Sequence, residues 1–147
     1  METLLLIHGP NLNLLGTRDQ KHYGSLTLPD LERLVADEAK KGGFAVRTFQ
    51  SNHEGALVDW IQKESALAVG IIINPGALAH YSYALHDALL DAALPAVEVH
   101  LSDIEGREEW RKRSVTAPAC IGVISGKKEK GYLEALNLLL SKLKANS

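Results

Sequence analysis

The sequence predicts an open, doubly wound parallel α/β sheet of five strands with helices on both faces. Short apolar segments alternate along the chain with segments whose apolar residues recur at helical spacing. The segment 68–73 is rich in β-branched residues and apolar on both faces, as a central parallel strand is. Parallel strands need right-handed crossovers, so a chain of 147 residues is expected to adopt the flavodoxin-like strand order 2-1-3-4-5.

The first strand and the first long helix have clear boundaries in the sequence. Thr3 to Ile7 is a short apolar run stopped by Gly9-Pro10, which favours a strand. A helix is predicted from Leu28, with Thr27 as its N-cap and Gly42-Gly43 as its end. The alternation of strand and helix therefore starts at the N-terminus.

The remaining elements follow in the same alternation. In chain order they are a strand over 44–49, a helix with the apolar stripe Leu57, Trp60 and Ile61, the strand 68–73, a helix over 82–92, a strand over 95–99, a short charged helix around 107–113, a buried strand over 119–124 that contains Cys120, and a last helix with Leu133, Leu136, Leu140 and Leu143 on one face.

Composition limits the classes of partner and compartment. With 46% apolar residues, the chain is expected to form one catalytic domain over 1–147 with a single core. A net charge of −2 is too weak to attract nucleic acid. The single cysteine, Cys120, allows no internal disulfide and indicates a reducing cytoplasm. No apolar stretch has transmembrane length, so no membrane association is expected.

Ligands of such sheets bind beyond the carboxyl ends of the strands, and the residues there carry mostly uncharged hydrogen-bonding groups. His8 and Asn74 stand where a response regulator needs acidic residues, and neither a phosphate loop nor G-x-G-x-x-G follows the first strand. The six histidines lack the usual metal-ligand spacings. We therefore expect neither a metal nor another cofactor.

His100 is a candidate general acid. It ends the fourth strand, and Glu98 lies two residues earlier on the same face, where a carboxylate can orient an imidazole. The alternative is a histidine that simply bonds to the backbone at the end of a strand, and the sequence leaves both interpretations open.

Four further side chains are candidate site residues, and each also has a simple structural interpretation. Arg18 and Tyr23 lie in a polar segment that suits a mobile lid, and a guanidinium favours the phenolate form of a nearby phenol, although a loop tyrosine is usually a rim contact. Arg111 either clamps a substrate carboxylate or belongs to a solvated face. Asp87 either accepts from a substrate hydroxyl or is a surface carboxylate.

Taken together, these residues resemble the pattern of the type II dehydroquinases from Ile7 to Tyr132. The motifs that carry the resemblance are Gly9-Pro10-Asn11-Leu12-Asn13-Leu14-Leu15-Gly16, Arg18 with Tyr23-Gly24, Asn74-Pro75-Gly76, His80-x-Ser82, and Glu98-Val99-His100-Leu101-Ser102 followed by Arg107-Glu108 and Arg111. Several separate blocks occur in the same order, which makes a chance match improbable.

The resemblance implies a flavodoxin-like subunit, assembled as trimers that pack into a dodecamer, that dehydrates 3-dehydroquinate without metal or Schiff base on the pathway to aromatic amino acids. It implies Tyr23 as base with Arg18 beside it, Asn11 as holder of a water at the enolate, and His100 as acid oriented by Glu98. The substrate-binding residues that it implies are Asn74, His80, Leu101, Ser102 and Arg111, with Asp87 reaching in from a neighbouring subunit.

The chain departs from the family pattern at Ala79, Tyr81, His86, Asp103, Glu105, Gly106 and Lys127-Lys128-Glu129. Three other interpretations remain: a silent ligand-binding subunit on the same scaffold, a hydrolase that uses Ser82 or Ser102 with His100, and the same dehydration in quinate degradation.

Overall fold

The computed structural model describes residues 1–17, 19–23 and 25–146. Within these residues, five parallel strands form one sheet in the order 2-1-3-4-5, which confirms the predicted fold class and strand order. The strands are β1 (Glu2–His8), β2 (Phe44–Gln50), β3 (Gly70–Asn74), β4 (Ala96–His100) and β5 (Gly122–Ser125).

Helices cover both faces of this sheet. They are α1 (Gln20–Tyr23), α2 (Leu28–Lys41), α3 (Glu54–Glu64), α4 (Tyr83–Ala92) and α5 (Glu129–Ala145). Alternate residues of β1 point to opposite faces, so Leu4 and Leu6 pack in the core under α2 and α5, whereas Leu5 and Ile7 pack under α3 and α4. Apolar burial on both faces holds the carboxyl ends of β1, β3 and β4 side by side.

Local capping chemistry fixes the start and end of α2. The Thr27 hydroxyl accepts from the Asp30 backbone N–H, and the Asp30 carboxylate accepts from the Thr27 N–H, which forms a capping box. Gly42 caps the other end, and Gly43 follows with φ +89°. The predicted helix boundaries are confirmed.

The prediction that Cys120 lies in a buried strand is wrong. Cys120 is half-buried and follows a 3₁₀ turn, Ala117–Ala119, before β5 begins. Pro118 favours this turn because it lacks an N–H for a ladder. The strand itself lies at the edge of the sheet, where Val123 is 40% exposed.

Two helical predictions also need correction. The charged helix around 107–113 is only a 3₁₀ turn over Glu109–Arg111, because this charged segment has no apolar stripe to pack against a core. On α5, the buried stripe includes Tyr132 and Leu139, whereas Leu133 is only partly buried. Tyr132 is fully buried, and its inward position displaces Leu133 from the centre of that stripe.

Candidate active site

A cavity opens at the carboxyl ends of β1, β3 and β4, as the fold predicts. Most of the predicted site residues line it, namely Asn11, Tyr23, Asn74, His80, His100, Leu101, Ser102 and Arg111. Glu98 lies behind His100, and Asp87 is exposed on α4, away from the cavity. Arg18 lies outside the described residues. The fold therefore brings residues from distant parts of the chain to one place.

The floor of the cavity consists of the loops after β1 and β3, which touch through their backbones. The Gly9 N–H donates to the Asn74 carbonyl at 2.8 Å. A Cβ on Gly9 would lie 2.1 Å from the Pro75 carbonyl oxygen, and Gly76 has φ +61° with Pro10 oxygen 3.0 Å from its Cβ position. Both glycines are thus required by the close approach of these loops.

Asn11 is held in a left-handed conformation with φ 70°, which asparagine tolerates better than most residues. Its backbone N–H donates to Oδ1 of Asn52 at 2.9 Å. Gln50 Nε2 donates to the same oxygen at 3.1 Å and to the Gly9 carbonyl at 3.2 Å. Sequence reasoning missed Gln50 and Asn52, because their contacts lie 41 residues away along the chain.

The amide of Asn74 has a defined orientation. Its Nδ2 donates to the Tyr132 hydroxyl at 3.0 Å, and its Oδ1 accepts from the Gly76 N–H at 3.0 Å. Burial raises the pKa of Tyr132, so this phenol stays neutral. One hydrogen of the Asn74 amide remains for a ligand. Sequence reasoning missed Tyr132 as the partner of Asn74.

A buried histidine lies close to a carboxylate under the same loop. His8 is fully buried at the end of β1, and its Nε2 lies 3.2 Å from Oε2 of Glu32 on α2. The imidazole ring is also 6.3 Å from the Tyr132 ring, measured between centroids. The floor of the cavity therefore rests on buried polar groups as well as on the apolar core.

His100 and Glu98 are in direct contact, as the strand alternation predicts. Nε2 of His100 lies 2.7 Å from Oε2 of Glu98, and both side chains are buried. Burial raises the pKa of Glu98, but hydrogen bonds and the charge of His100 outweigh it and hold the pKa below the ordinary value. An ionised carboxylate only accepts, so Nε2 carries a proton and Nδ1 is left to exchange one with a ligand.

His80 presents an acceptor to the cavity. Its Nδ1 donates to the Arg113 carbonyl at 2.6 Å. Burial lowers the pKa of His80, which keeps the ring neutral and leaves Nε2 with a free lone pair. The ring lies 6.4 Å from that of His100 and 5.3 Å from that of Trp110, measured between centroids. His80 is therefore suited to accept from a ligand hydroxyl.

Tyr23 has a cationic partner that sequence reasoning did not assign. Nη1 of Arg107 donates to the Tyr23 hydroxyl at 2.6 Å, and the guanidinium carbon lies 5.3 Å from the ring centroid. Arg107 also contacts the Ser102 hydroxyl at 3.4 Å. Its place in the motif Arg107-Glu108 was the available signal, but 84 residues separate it from Tyr23.

Arg111 lines the cavity at its rim, as predicted. Its Nε donates to Glu108, and its guanidinium carbon stands 4.1 Å from the ring centroid of Trp110. These contacts orient the guanidinium and leave its terminal nitrogens for an anion. Leu101 and Ser102 are buried in the wall beside it.

The cavity combines a cation-paired phenol, a carboxylate-paired imidazole, neutral amides and a rim guanidinium. Such a set is suited to acid–base chemistry on an oxygen-rich anionic ligand. Ser82 bonds to Glu54 and caps α4, so it is not placed as a nucleophile beside His100. Among the described residues, no group of three or more His, Cys, Asp or Glu side chains is arranged to hold a metal ion.

A family model described as "Dehydroquinase class II" matches residues 2–140. The chain belongs to the class II dehydroquinase family. The chain is 52% identical over 133 residues to the 3-dehydroquinate dehydratase of Thermotoga neapolitana, and the alignment covers 90% of each chain. It is 50% identical over 140 residues to the 3-dehydroquinate dehydratase of Caldicellulosiruptor bescii, and this alignment covers 95% of this chain and 97% of the relative.

Solved structures agree with this family assignment. The type II dehydroquinase of Butyrivibrio crossotus superimposes with a TM-score of 0.91 at 43% identity, over 95% of this chain and 97% of that one. A 3-dehydroquinate dehydratase-like protein of Bifidobacterium longum gives a TM-score of 0.71 at 28% identity, over 98% of this chain and 99% of that one. Among the described residues, no helix combines the length and the apolar character that crossing a membrane requires.

Proposed function

We propose that this chain is a 3-dehydroquinate dehydratase that removes water from 3-dehydroquinate through an enolate, with Tyr23 as base and His100 as acid. The observation that carries the proposal is a single cavity lined by both a phenol paired with a guanidinium and an imidazole paired with a buried carboxylate. The names of relatives about 50% identical over nearly the whole chain support the same reaction.

Tyr23 takes a proton from the carbon beside the substrate ketone. It acts as a phenolate, and Arg107 favours that form because its guanidinium donates to the phenol oxygen. Arg18 is proposed as a second cation for this phenolate, on the family pattern alone. Loss of the carbon-bound proton leaves an enolate, whose oxygen carries the negative charge.

The amides at the cavity floor stabilise that enolate. The backbone of Asn11 is held by its left-handed conformation and by Asn52, and its side chain is proposed to hold a water beside the enolate oxygen. Preorganised neutral donors stabilise a developing oxyanion without having to reorient during the reaction. The remaining Asn74 hydrogen is proposed to bind a substrate hydroxyl.

His100 completes the dehydration from its free nitrogen. As an imidazolium with Nε2–H donated to Glu98, it gives the Nδ1 proton to the departing hydroxyl, which leaves as water. The enolate electrons then form the double bond conjugated to the ketone. The proton on Tyr23 passes through solvent back to His100, which restores both groups and leaves substrate minus water as the net change.

The rest of the cavity is proposed to hold the substrate. Arg111 binds the carboxylate with its terminal nitrogens, and Nε2 of His80 accepts from a hydroxyl. Ser102 contributes its hydroxyl, and Leu101 and Ser102 contribute backbone groups. Without a bound cofactor, this set supplies positioning, proton transfer and charge stabilisation.

A spectrophotometric assay with 3-dehydroquinate tests the proposal directly. The product contains a conjugated enone, so its absorbance should grow with time, with or without a metal chelator and after borohydride treatment in the presence of substrate. Loss of activity after chelation or borohydride would contradict a metal-free, imine-free reaction. Absence of enone from a folded assembly would favour the silent ligand-binding subunit.

The assembly is proposed to be a dodecamer of four trimers, formed by one catalytic domain per chain in the cytoplasm. Asp87 supports an assembly because it is exposed on α4 and remote from its own cavity, as a residue that serves a neighbouring subunit would be. Tyr81, Tyr83 and Leu90 are also exposed on or beside α4. Sedimentation velocity tests this, and a monomer would contradict it.

A further inference from the structure

A short segment without regular secondary structure, Arg113–Thr116, lies behind Glu98, and backbone hydrogen bonds hold it from one side. The Arg113 carbonyl accepts from Nδ1 of His80 at 2.6 Å, and the Val115 carbonyl accepts from Nδ1 of His86 at 2.8 Å. The Val115 N–H donates to the Ala79 carbonyl at 2.6 Å. These bonds fix the direction of the side chains between them.

The side chains of Ser114 and Thr116 point the other way, to Glu98. The Ser114 hydroxyl donates to Oε2 of Glu98 at 2.7 Å, and the Thr116 hydroxyl donates to Oε1. The Ser114 oxygen also accepts from the Ala117 N–H at 3.0 Å and lies 3.3 Å from the Thr116 hydroxyl oxygen. Thr116 is fully buried.

Each oxygen of Glu98 therefore accepts from a hydroxyl, and Oε2 also accepts from His100. We propose that Ser114 and Thr116 are positioning residues that act on His100 through Glu98. Their hydroxyls keep the Glu98 carboxylate ionised and in the plane in which it accepts the hydrogen bond from Nε2–H of His100. This deepens the proposed function and rests on it, since it concerns the same acid. Neither hydroxyl is needed to contact substrate.

The alternative states of Glu98 explain why the hydroxyls matter. Burial by itself raises the pKa of Glu98, and the hydrogen bonds from His100, Thr116 and Ser114 act in the opposite direction. A protonated Glu98 would have a hydrogen of its own to donate, so Nε2 of His100 would no longer be the obligatory donor. The imidazole would then populate both tautomers, and only one of them leaves Nδ1 ready to take up the proton for the leaving group.

The other titratable groups near Glu98 do not supply this control. Cys120 approaches from the segment before β5, and burial raises the pKa of this thiol to about 12, which keeps it neutral. His80 approaches from the turn before α4, and burial lowers its pKa. His100 itself is the group being positioned.

The test compares Thr116→Val, which keeps the shape and removes the hydroxyl, with Thr116→Ser, which keeps a hydroxyl. Thr48→Val, at an exposed position of β2, is the matched control. We expect Thr116→Val to lower kcat by about tenfold, a fraction of the effect of removing a general acid, with KM within about twofold and kcat recovered in Thr116→Ser. Ser114→Ala provides a second variant of the same kind if Thr116→Val does not fold.

Nuclear magnetic resonance supplies a readout that does not depend on turnover. In the unaltered protein, the ¹⁵N shifts of His100 should report a proton on Nε2, and the ¹³C shift of the Glu98 carboxyl should titrate below its ordinary pKa. In Thr116→Val, the His100 shifts should move towards a mixture of tautomers, and the Glu98 carboxyl should titrate at a higher pH.

The two readouts separate the possible failures. Unchanged His100 and Glu98 signals in a folded Thr116→Val protein overturn the positioning role, even if kcat falls. If the His100 and Glu98 signals change in Thr116→Val but the unaltered protein makes no enone, the positioning role stands and the proposed dehydration is wrong. A fall in kcat that Thr116→Ser does not restore also contradicts the proposal.

Discussion

Nη1 of Arg107 donates a 2.6 Å hydrogen bond to the phenol oxygen of Tyr23, and the guanidinium carbon lies 5.3 Å from the ring centroid. The segment after β1 thereby contacts the segment after β4 across the mouth of the cavity. The proposed base therefore has a cation beside it that its neighbours in sequence did not reveal.

Arg107→Met should lower kcat by about tenfold or more, because a charge-assisted hydrogen bond to the phenolate is lost at the atom that takes the proton. Arg107→Lys should recover part of the loss, since it keeps the charge without the fork geometry. Steady-state kinetics with 3-dehydroquinate measure both. Arg33→Met is the control, because Arg33 is 69% exposed and remote from the cavity.

Tyr23→Phe and His100→Ala should each lower kcat by about a hundredfold or more, the range for removing an acid or a base. Both proteins should remain folded by circular dichroism. Tyr81→Phe, at a position 62% exposed, should retain activity and serves as the control. Near-normal turnover by Tyr23→Phe would remove the assignment of the base.

Glu98 should make folding stability depend on pH in the acid range. Burial raises its pKa, but the hydrogen bonds and the His100 charge leave it below 4.5, so the stabilisation is present above pH 4.5 and is lost as the pH falls through the lower folded-state value. Urea unfolding between pH 6 and pH 3 should show a steeper loss for the unaltered protein than for Glu98→Gln. If the unfolding free energies of the two proteins fell in parallel with pH, this direction of the pH dependence would be contradicted.

Gly9→Ala should disrupt the floor of the cavity. Its Cβ would lie 2.1 Å from the Pro75 carbonyl oxygen, so the two loops must separate, at a cost of about 2–3 kcal/mol or more. Gly55→Ala is the matched control, because its Cβ would meet no atom within 4 Å and it lies in α3, where alanine is favoured by about 0.5–1 kcal/mol. Urea unfolding and KM for 3-dehydroquinate measure the two variants, and equal stabilities would disprove the loop contact.

Tyr132→Phe should weaken substrate binding through Asn74. The variant leaves the buried Nδ2 of Asn74 without its acceptor, which costs about 1–3 kcal/mol of folding stability. Only the Gly76 N–H then orients the amide, so KM should rise more than kcat falls. Thermal unfolding and steady-state kinetics test both effects, and an unchanged KM would show that Tyr132 does not orient the amide.

The boundaries of α2 could be predicted because their causes are local, whereas the strand order followed from the general rules for parallel sheets. Residues in contact along a strand or around a helix cap lie within a few positions of each other, as with Thr27 and Asp30 or Glu98 and His100. The half-buried position of Cys120 could not be predicted, because it lies in the turn that leads into β5, the edge strand of the sheet.

Contacts between distant segments explain the rest of what the sequence did not predict. Asn74 and Tyr132 lie 58 residues apart, and Glu98 and Thr116 lie 18 apart, with no periodicity to connect them. Such pairs depend on how loops and helices pack after the sheet has formed. The strand ends and the resemblance to the dehydroquinases together supplied the candidate site residues and the pairing of Glu98 with His100. Neither indicated that Tyr132 supports Asn74 or that Thr116 supports Glu98.

The backbone contact between the loops of Gly9 and Gly76 has a consequence for redesign of this pocket. A floor without room for a single extra methyl group at Gly9 cannot be reshaped by substitution there. New ligand preferences would have to be engineered in the walls, through the segment before α2 or the segment around Arg107 and Arg111. The floor of the cavity is thus closed to substitution by its backbone contact, and only its walls can be changed.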